Sequence, residues 1–344
     1  MTAKFHFIFV IFATSISLFI NRYLVFTQPT VKSLYQNDSI SFRGLSVVND
    51  SVFWVCGTKG AIGFSIDAGK HFTWRKIPSC DSIDFRDIEA FSKEEAVVMG
   101  IGSPAKVYKT KDGGLHWKQV FIDYRKEMFL DAMDFVDDAH GMLLGDPMDG
   151  IFFLHKTNDG GETWHELESR LSYRAMEGEA CFASSGSNLR MLTRDSFYFV
   201  SGGTVARLHG MDTAIHLPIL QGKSSAGANA IDYHPATKRW FVVGGDFSDK
   251  DKTDSTMLYS IDGGKNWQFS FVGGYRSSIQ CANASELICC GLNGVDYSSN
   301  AGLTWINISK QSFHVCKKAK QGKAIYLAGG KGHIAQVHLV EEIK

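Results

Sequence analysis

The 344 residues carry 36 basic and 36 acidic side chains, so the chain has no electrostatic footprint for nucleic acid or an anionic membrane surface. Thirty-four glycines against six prolines, with 12% aromatic residues, suit many short strands joined by tight turns. The length would hold two or three average domains, but a closed all-β repeat architecture can use it as one.

The N-terminus reads Lys4, then a nearly unbroken apolar run from Phe5 to Ile20, then Asn21-Arg22. Sixteen residues is short for a spanning helix and typical of a signal-peptide core. No small-x-small cleavage site follows, so residues 1–26 read either as a signal peptide or as an uncleaved signal anchor. Both imply export, to the periplasm or the exterior, with membrane anchoring under the second. No cysteine lies near enough to accept a lipid. Residues 27–41 form a linker containing TVKSLYQ (30–36), a candidate for a strand that closes the ring described next.

From residue 42 to residue 340 an apolar run ending in glycine returns seven times, at Gly57, Gly100, Gly145, Gly202, Gly244, Gly291 and Gly329. The spacings of 38 to 57 residues leave room for four strands each. That is the signature of propeller blades and predicts an all-β, seven-bladed β-propeller, with residues 341–344 as a tail. A second repeat runs out of phase with the first: TKDGGLHW (110–117), TNDGGETW (157–164) and SIDGGKNW (260–267), with weaker copies at SIDAGKHF (65–72) and SSNAGLTW (298–305). A catalytic group is needed once, whereas a folding unit needs its turn every time. Asp67, Asp112, Asp159, Asp262 and Asn300 are therefore expected to hold Asp-box turns, each followed by glycine and then an inward-packing aromatic. The fourth unit lacks the octet and has HGMDTAIH (209–216) in its place.

A third repeat opens the units: Phe42-Arg43, Phe85-Arg86, Phe129-Leu130, Tyr275-Arg276 and Phe313-His314. With four antiparallel strands per blade, the start of the first strand and the end of the second share a face, opposite the Asp turns. On that face, near the central channel, the sequence gathers Arg43, Arg86, Asp131, Asp146, Asp149, Glu179, Arg207, Asp246 and Arg276. Charges converging in a concavity mark a candidate binding site. No catalytic residue is assigned.

The seven cysteines are an odd number and show no CxxC pair or Cys/His metal spacing, and the acidic tract 246–255 lacks the pattern of a calcium loop. Cys181, Cys281, Cys289 and Cys316 lie in apolar runs and read as small buried side chains. Neither a metal nor an organic cofactor is expected. No Gly-rich phosphate loop and no haem-attachment motif occurs.

The octets resemble the Asp-box repeats of sialidases and of many non-enzymatic propellers. More closely, FRGLSVVNDSVFWVCGTKG (42–60), DFRDIEAF (84–91), GDPMDG (145–150), GEACFASSGS (178–187) and VVGGD (242–246) resemble the propeller family of the photosystem II assembly and stability factor, over about residues 42–340. The resemblance implies an exported seven-bladed propeller that binds other proteins and has no established catalytic residues, as its photosynthetic members attend a newly made membrane subunit. Arg43, Arg86 and Arg207 match arginines of that family.

Two functions are open to such a chain. The first is a non-catalytic protein-binding or assembly propeller whose partner is another, membrane-associated protein. The second is a sialidase-like glycoside hydrolase or lyase acting on acidic sugars, which needs an arginine cluster for the substrate carboxylate together with acid and nucleophile groups. Phe42-Arg43 matches half of the FRIP arginine motif of those enzymes, but Gly44-Leu45 replaces Ile-Pro.

Overall fold

The computed structural model describes residues 28–168 and 171–339; the signal segment expected over residues 1–26 and the tail at 341–344 lie outside it. The chain is an all-β, seven-bladed β-propeller, with seven sheets and no α-helix among the described residues. The innermost strands of blades one to seven are Phe42–Val47, Phe85–Ala90, Leu130–Phe135, Leu189–Thr193, Ala226–His234, Ser278–Cys281 and Val315–Lys318. Each of the first six is followed outward by three antiparallel strands in chain order. Blade five has two further short pairings on its inner side, Glu179–Ala180 and Gly202–Gly203, contributed by the connections around blade four.

Blade seven draws only three strands from the C-terminal end of the described chain. Its outermost strand is Thr30–Tyr35, antiparallel to Ile334–His338 with Thr30 opposite His338 and Tyr35 opposite Ile334. The N-terminal strand thus covers an edge that would otherwise offer unpaired backbone groups to other chains.

Alternate residues of each strand point to the two faces of its sheet, and both faces of a blade pack on neighbours, so the second strands of blades one, two and six are apolar and buried throughout. The core accordingly consists of seven separate clusters, one at each blade interface. Trp54, Ile62 and Phe64 of blade one, for instance, meet Phe85, Ile88 and Val98 of blade two. The recurrent glycine has a steric cause. A Cβ at Gly57, Gly145 or Gly291 would sit 2.1, 2.5 or 2.1 Å from the carbonyl oxygen of Ser41, Phe129 or Tyr275, each sixteen residues upstream. Only glycine lets the end of the second strand approach the start of the first this closely.

The five turn octets share one hydrogen-bond pattern, and its centre is the Ser or Thr two residues before the acidic position. Ser65, Thr110, Thr157, Ser260 and Ser298 are each 1% exposed. Their Oγ atoms donate to the Asp or Asn oxygen at 2.7–3.0 Å and accept the amide of the glycine four residues on, at 2.8–3.0 Å. The acidic oxygen in turn accepts the backbone N–H four residues ahead of it, as in Asp112 from His116 at 2.9 Å. Blade four replaces this turn by the two residues Met211-Asp212 between Arg207–Gly210 and Thr213–His216.

Backbone and then side-chain hydrogen bonds from His71, His116 and Asn266 hold Asp67, Asp112 and Asp262 at a pKa of about 2. An unfolded Asp titrates near ~4, so these groups stabilise the fold fully above that pH and lose their contribution as the pH falls from about 4 to about 2. Changing all three to Asn is expected to lower the urea midpoint at pH 7, with the gap to the native chain closing at pH 2; an equal gap at both pH values would show that their charge is irrelevant.

Candidate functional site

The inner strands do not run straight into the channel. Bulges displace one residue between Phe42 and Gly44, between Phe85 and Asp87, between Leu130 and Ala132, and between Ala228 and Ala230. The displaced residues are Arg43, Arg86, Asp131 and Asn229. A bulge re-aims the side chain of its extra residue. In all four blades the residue so turned is polar, and in three of them, Arg43, Arg86 and Asn229, it sits where the channel opens.

Arg43, Arg86 and Asn229 line a cavity of about 330 Å³ at this mouth, together with Phe129, Ser184, Phe247, Tyr275 and His314. All seven blades or their connections contribute. The Arg86 guanidinium bonds the Ala183 carbonyl at 2.8 Å and pairs with Asp84 through Nε at 2.8 Å. Arg43 reaches only the Ser184 carbonyl, at 3.4 Å, and makes no ion pair among the described residues. Burial, and then the neighbouring Arg86 charge, lower the Arg43 pKa to about 10. Burial and the same two arginines push His314 down to about 3, so its ring is neutral at physiological pH and lies 3.2 Å from Ser41 Oγ. Phe182, Phe247 and Tyr275 form an edge-to-face aromatic wall, with Phe247 45% exposed at the rim. The mouth is therefore cationic at its centre and apolar at its border.

The other expected residues are placed differently. Asp131 and Asp146 lie together behind the wall formed by Cys181, where Asp146 accepts the Cys181 amide at 2.8 Å. Burial raises the Asp146 pKa to about 6. Arg207 is paired with Glu179 inside blade four, in a buried network with His209 and Ser201. Asp246 is held by Lys223 at 3.0 Å and by the Ser248 amide. Asp149 is exposed and its carbonyl accepts from Arg174. Arg276 is fully buried against Asp296 and does not line the cavity. Of the arginines expected on this face, only Arg43 and Arg86 share the mouth.

The inner half of the channel contains a feature that the sequence reading missed. Because the blades radiate, neighbouring inner strands cannot form a sheet ladder, and side chains bridge them instead. Asp87 accepts the Met133 amide at 2.8 Å, Asp134 that of Met191 at 2.6 Å and Asp232 that of Cys281 at 2.6 Å; Ser46 and Ser278 do the same for Ala90 and Cys316. Arg190 lies between Asp134 and Asp232 at 3.6 and 3.4 Å. These buried carboxylates are inter-blade struts around a space of about 660 Å³. A polar residue at alternate positions of an otherwise apolar inner strand is the signal that would have found them.

The described residues form a closed seven-bladed propeller with a two-arginine, aromatic-rimmed channel mouth. No family model matches the chain. It is 25% identical over 204 residues to the photosystem II assembly lipoprotein Ycf48 of Synechococcus sp. (strain CC9902), a match that covers 58% of this chain and 56% of that one. The chain thus spans about half the length of this curated relative. A solved structure of YCF48 bound to D1 peptide superposes with a TM-score of 0.62 at 14% identity, covering 93% of this chain and 98% of that one. YCF48 from Cyanidioschyzon merolae gives 0.60 at 15% identity, over 90% and 99%. The resemblance to the photosystem II assembly factor propellers that the sequence carries is found again in these relatives.

Proposed function

We propose that the chain is an exported, non-catalytic propeller that binds another, membrane-associated protein by receiving an anionic segment of it at the channel mouth. One observation carries this reading: among the described residues Arg43 is a partly buried guanidinium that forms no ion pair and feels Asp84 only at a distance, beside a second guanidinium and a neutral His314. A desolvated cation of this kind is costly until an anion reaches it, and the cost is recovered on binding. The aromatic rim supplies the apolar contact that anchors a peptide around such a pair. Support for a protein partner comes from the curated relative, named an assembly lipoprotein, and from the YCF48 structure that holds a D1 peptide. Export rests on the apolar run from Phe5 to Ile20 together with the lipoprotein relative.

Sialidase-type chemistry is less well supported, since Arg276 is committed to Asp296 and leaves Arg43 and Arg86 without a third arginine from the expected set. In a pull-down from native membranes the full chain is expected to retain one partner in stoichiometric amount. Combining Arg43→Ala with Arg86→Glu should reduce that capture at least about tenfold, which corresponds to roughly 1.4 kcal/mol. Retention at the native level by the double variant would remove the charged mouth from the reading.

A further inference from the structure

Asp131 is unusual among the buried carboxylates of this ring. It is 0% exposed and neither of its oxygens closes a hydrogen bond of good geometry, the Ala183 backbone only approaching it. Its counterparts Asp87, Asp134 and Asp232 each accept a backbone amide of the next blade. An orphaned carboxylate in a native interior needs a physical explanation. Its surroundings supply one. Asp131 occupies the bulge of the innermost strand of blade three, and Asp146 occupies a second bulge, between Gly145 and Pro147 of the next strand. Both bulges turn a carboxylate toward the same point, and the connection into blade four brings Cys181 to it. One ligand atom from each of the three lies within 4.8 Å of the others.

We propose that Asp131, Asp146 and Cys181 form a binding site for one borderline-soft divalent transition ion of the zinc type. Two carboxylate oxygens and a thiolate are a donor set that zinc accepts, with Zn–O near ~2.0–2.2 Å and Zn–S near ~2.3 Å, and a water can take the fourth tetrahedral position. Calcium and magnesium are disfavoured, since they require six or more oxygen ligands and do not seek sulfur. The dication offsets most of the charge of the three anionic donors, and the field of Arg86, which is paired with Asp84, also acts on Asp131. Asp146 keeps its second oxygen for the ion, because its first accepts the Cys181 amide. Access is through the mouth, whose wall includes Cys181. Ligation requires the carboxylates and the thiol in their deprotonated forms, so binding releases protons and strengthens as pH rises. The site does not depend on the mouth's arginines receiving a partner.

Cobalt(II) titrated into the purified full chain tests this directly. The expected result is one ion per chain, with a thiolate-to-cobalt charge-transfer band and the intense visible bands of a tetrahedral site, both bleached by zinc. Cys181→Ser should abolish the charge-transfer band, and Asp131→Asn should weaken zinc binding at least tenfold, with near-native circular dichroism as the control for folding. A native chain that gives no charge-transfer band would overturn the proposal and leave Asp131 and Asp146 as a pair holding a proton. A band that survives Cys181→Ser would overturn it too, by assigning the metal to another cysteine. If the variants fail to fold, the spectrum of the native chain alone decides.

Discussion

Deletion of residues 30–36 is expected to lower the melting temperature by roughly 10 °C or more, the largest stability loss that any short segment of this ring should give. Five residues of the Thr30–Tyr35 strand pair with Ile334–His338. Its side chains then cross to the neighbouring blade: Tyr35 packs 5.1 Å from the Phe72 ring and 4.9 Å from Trp74, and Leu34 covers Gly69 of the first turn octet. Backbone bonds from Asn37 to Lys331 and from Phe42 to Gly329 continue the seam. At about 1 kcal/mol per hydrogen bond and about 1.5–3 kcal/mol per large apolar side chain, the segment contributes on the order of 5–8 kcal/mol. For a domain of this size that corresponds to the shift stated. The deletion also exposes Ile334–His338 as an edge strand, so concentration-dependent aggregation should accompany the lower midpoint. An unchanged melting temperature in a thermal scan at low protein concentration would mean that the apolar cluster shared by blades seven and one closes the ring without the strand.

How much of this architecture could be read from the sequence depended on whether a feature had to recur. The glycine after each apolar run recurs because a backbone carbonyl sits against it in five blades, and a side chain in the other two, and it counted the blades. The turn octets recur for the same reason. The centre of each octet is the buried Ser or Thr, a residue type whose burial the sequence does not mark, whereas the acidic position two residues on stands out by its charge. Arg43 and Arg86 were legible as a pair because the same bulge follows the same aromatic in both blades. Asp131, Asp146 and Cys181 were each near a repeat, but their convergence depends on two bulges and an inter-blade connection that no spacing rule encodes. Tyr275-Arg276 looks like Phe42-Arg43 in the sequence. In blade six, however, the first strand begins only at Ser278, so Arg276 stands before the strand and turns into the protein instead of into the channel. A shift of three residues in where a strand begins, relative to the aromatic, is enough to exchange a channel-facing cation for one buried in the protein.

Arg276 then yields the second large effect. Its guanidinium pairs with Asp296, donates to the Tyr275 carbonyl at 2.8 Å and bonds Asn293, while Asp296 also accepts the Gly273 amide and the Asn307 side chain, both at 2.9 Å. The two side chains are 0% and 3% exposed. Asp296→Ala is expected to cost about 3–5 kcal/mol, because it strands a buried positive charge and not because the pair is intrinsically strong. The double change Arg276→Met with Asp296→Leu removes both charges and should recover at least about 2 kcal/mol of that loss, short of full recovery since the Gly273 amide still lacks its acceptor. The same clamp fixes the chain at Tyr275, whose hydroxyl bonds Asn229 at 2.8 Å in the mouth wall. Partner capture should therefore fall in Asp296→Ala even at temperatures where the ring remains folded, and return in part in the double variant. Urea unfolding of the singles and the double measures the coupling. Strict additivity of the two changes would show that Arg276 and Asp296 do not stabilise one another.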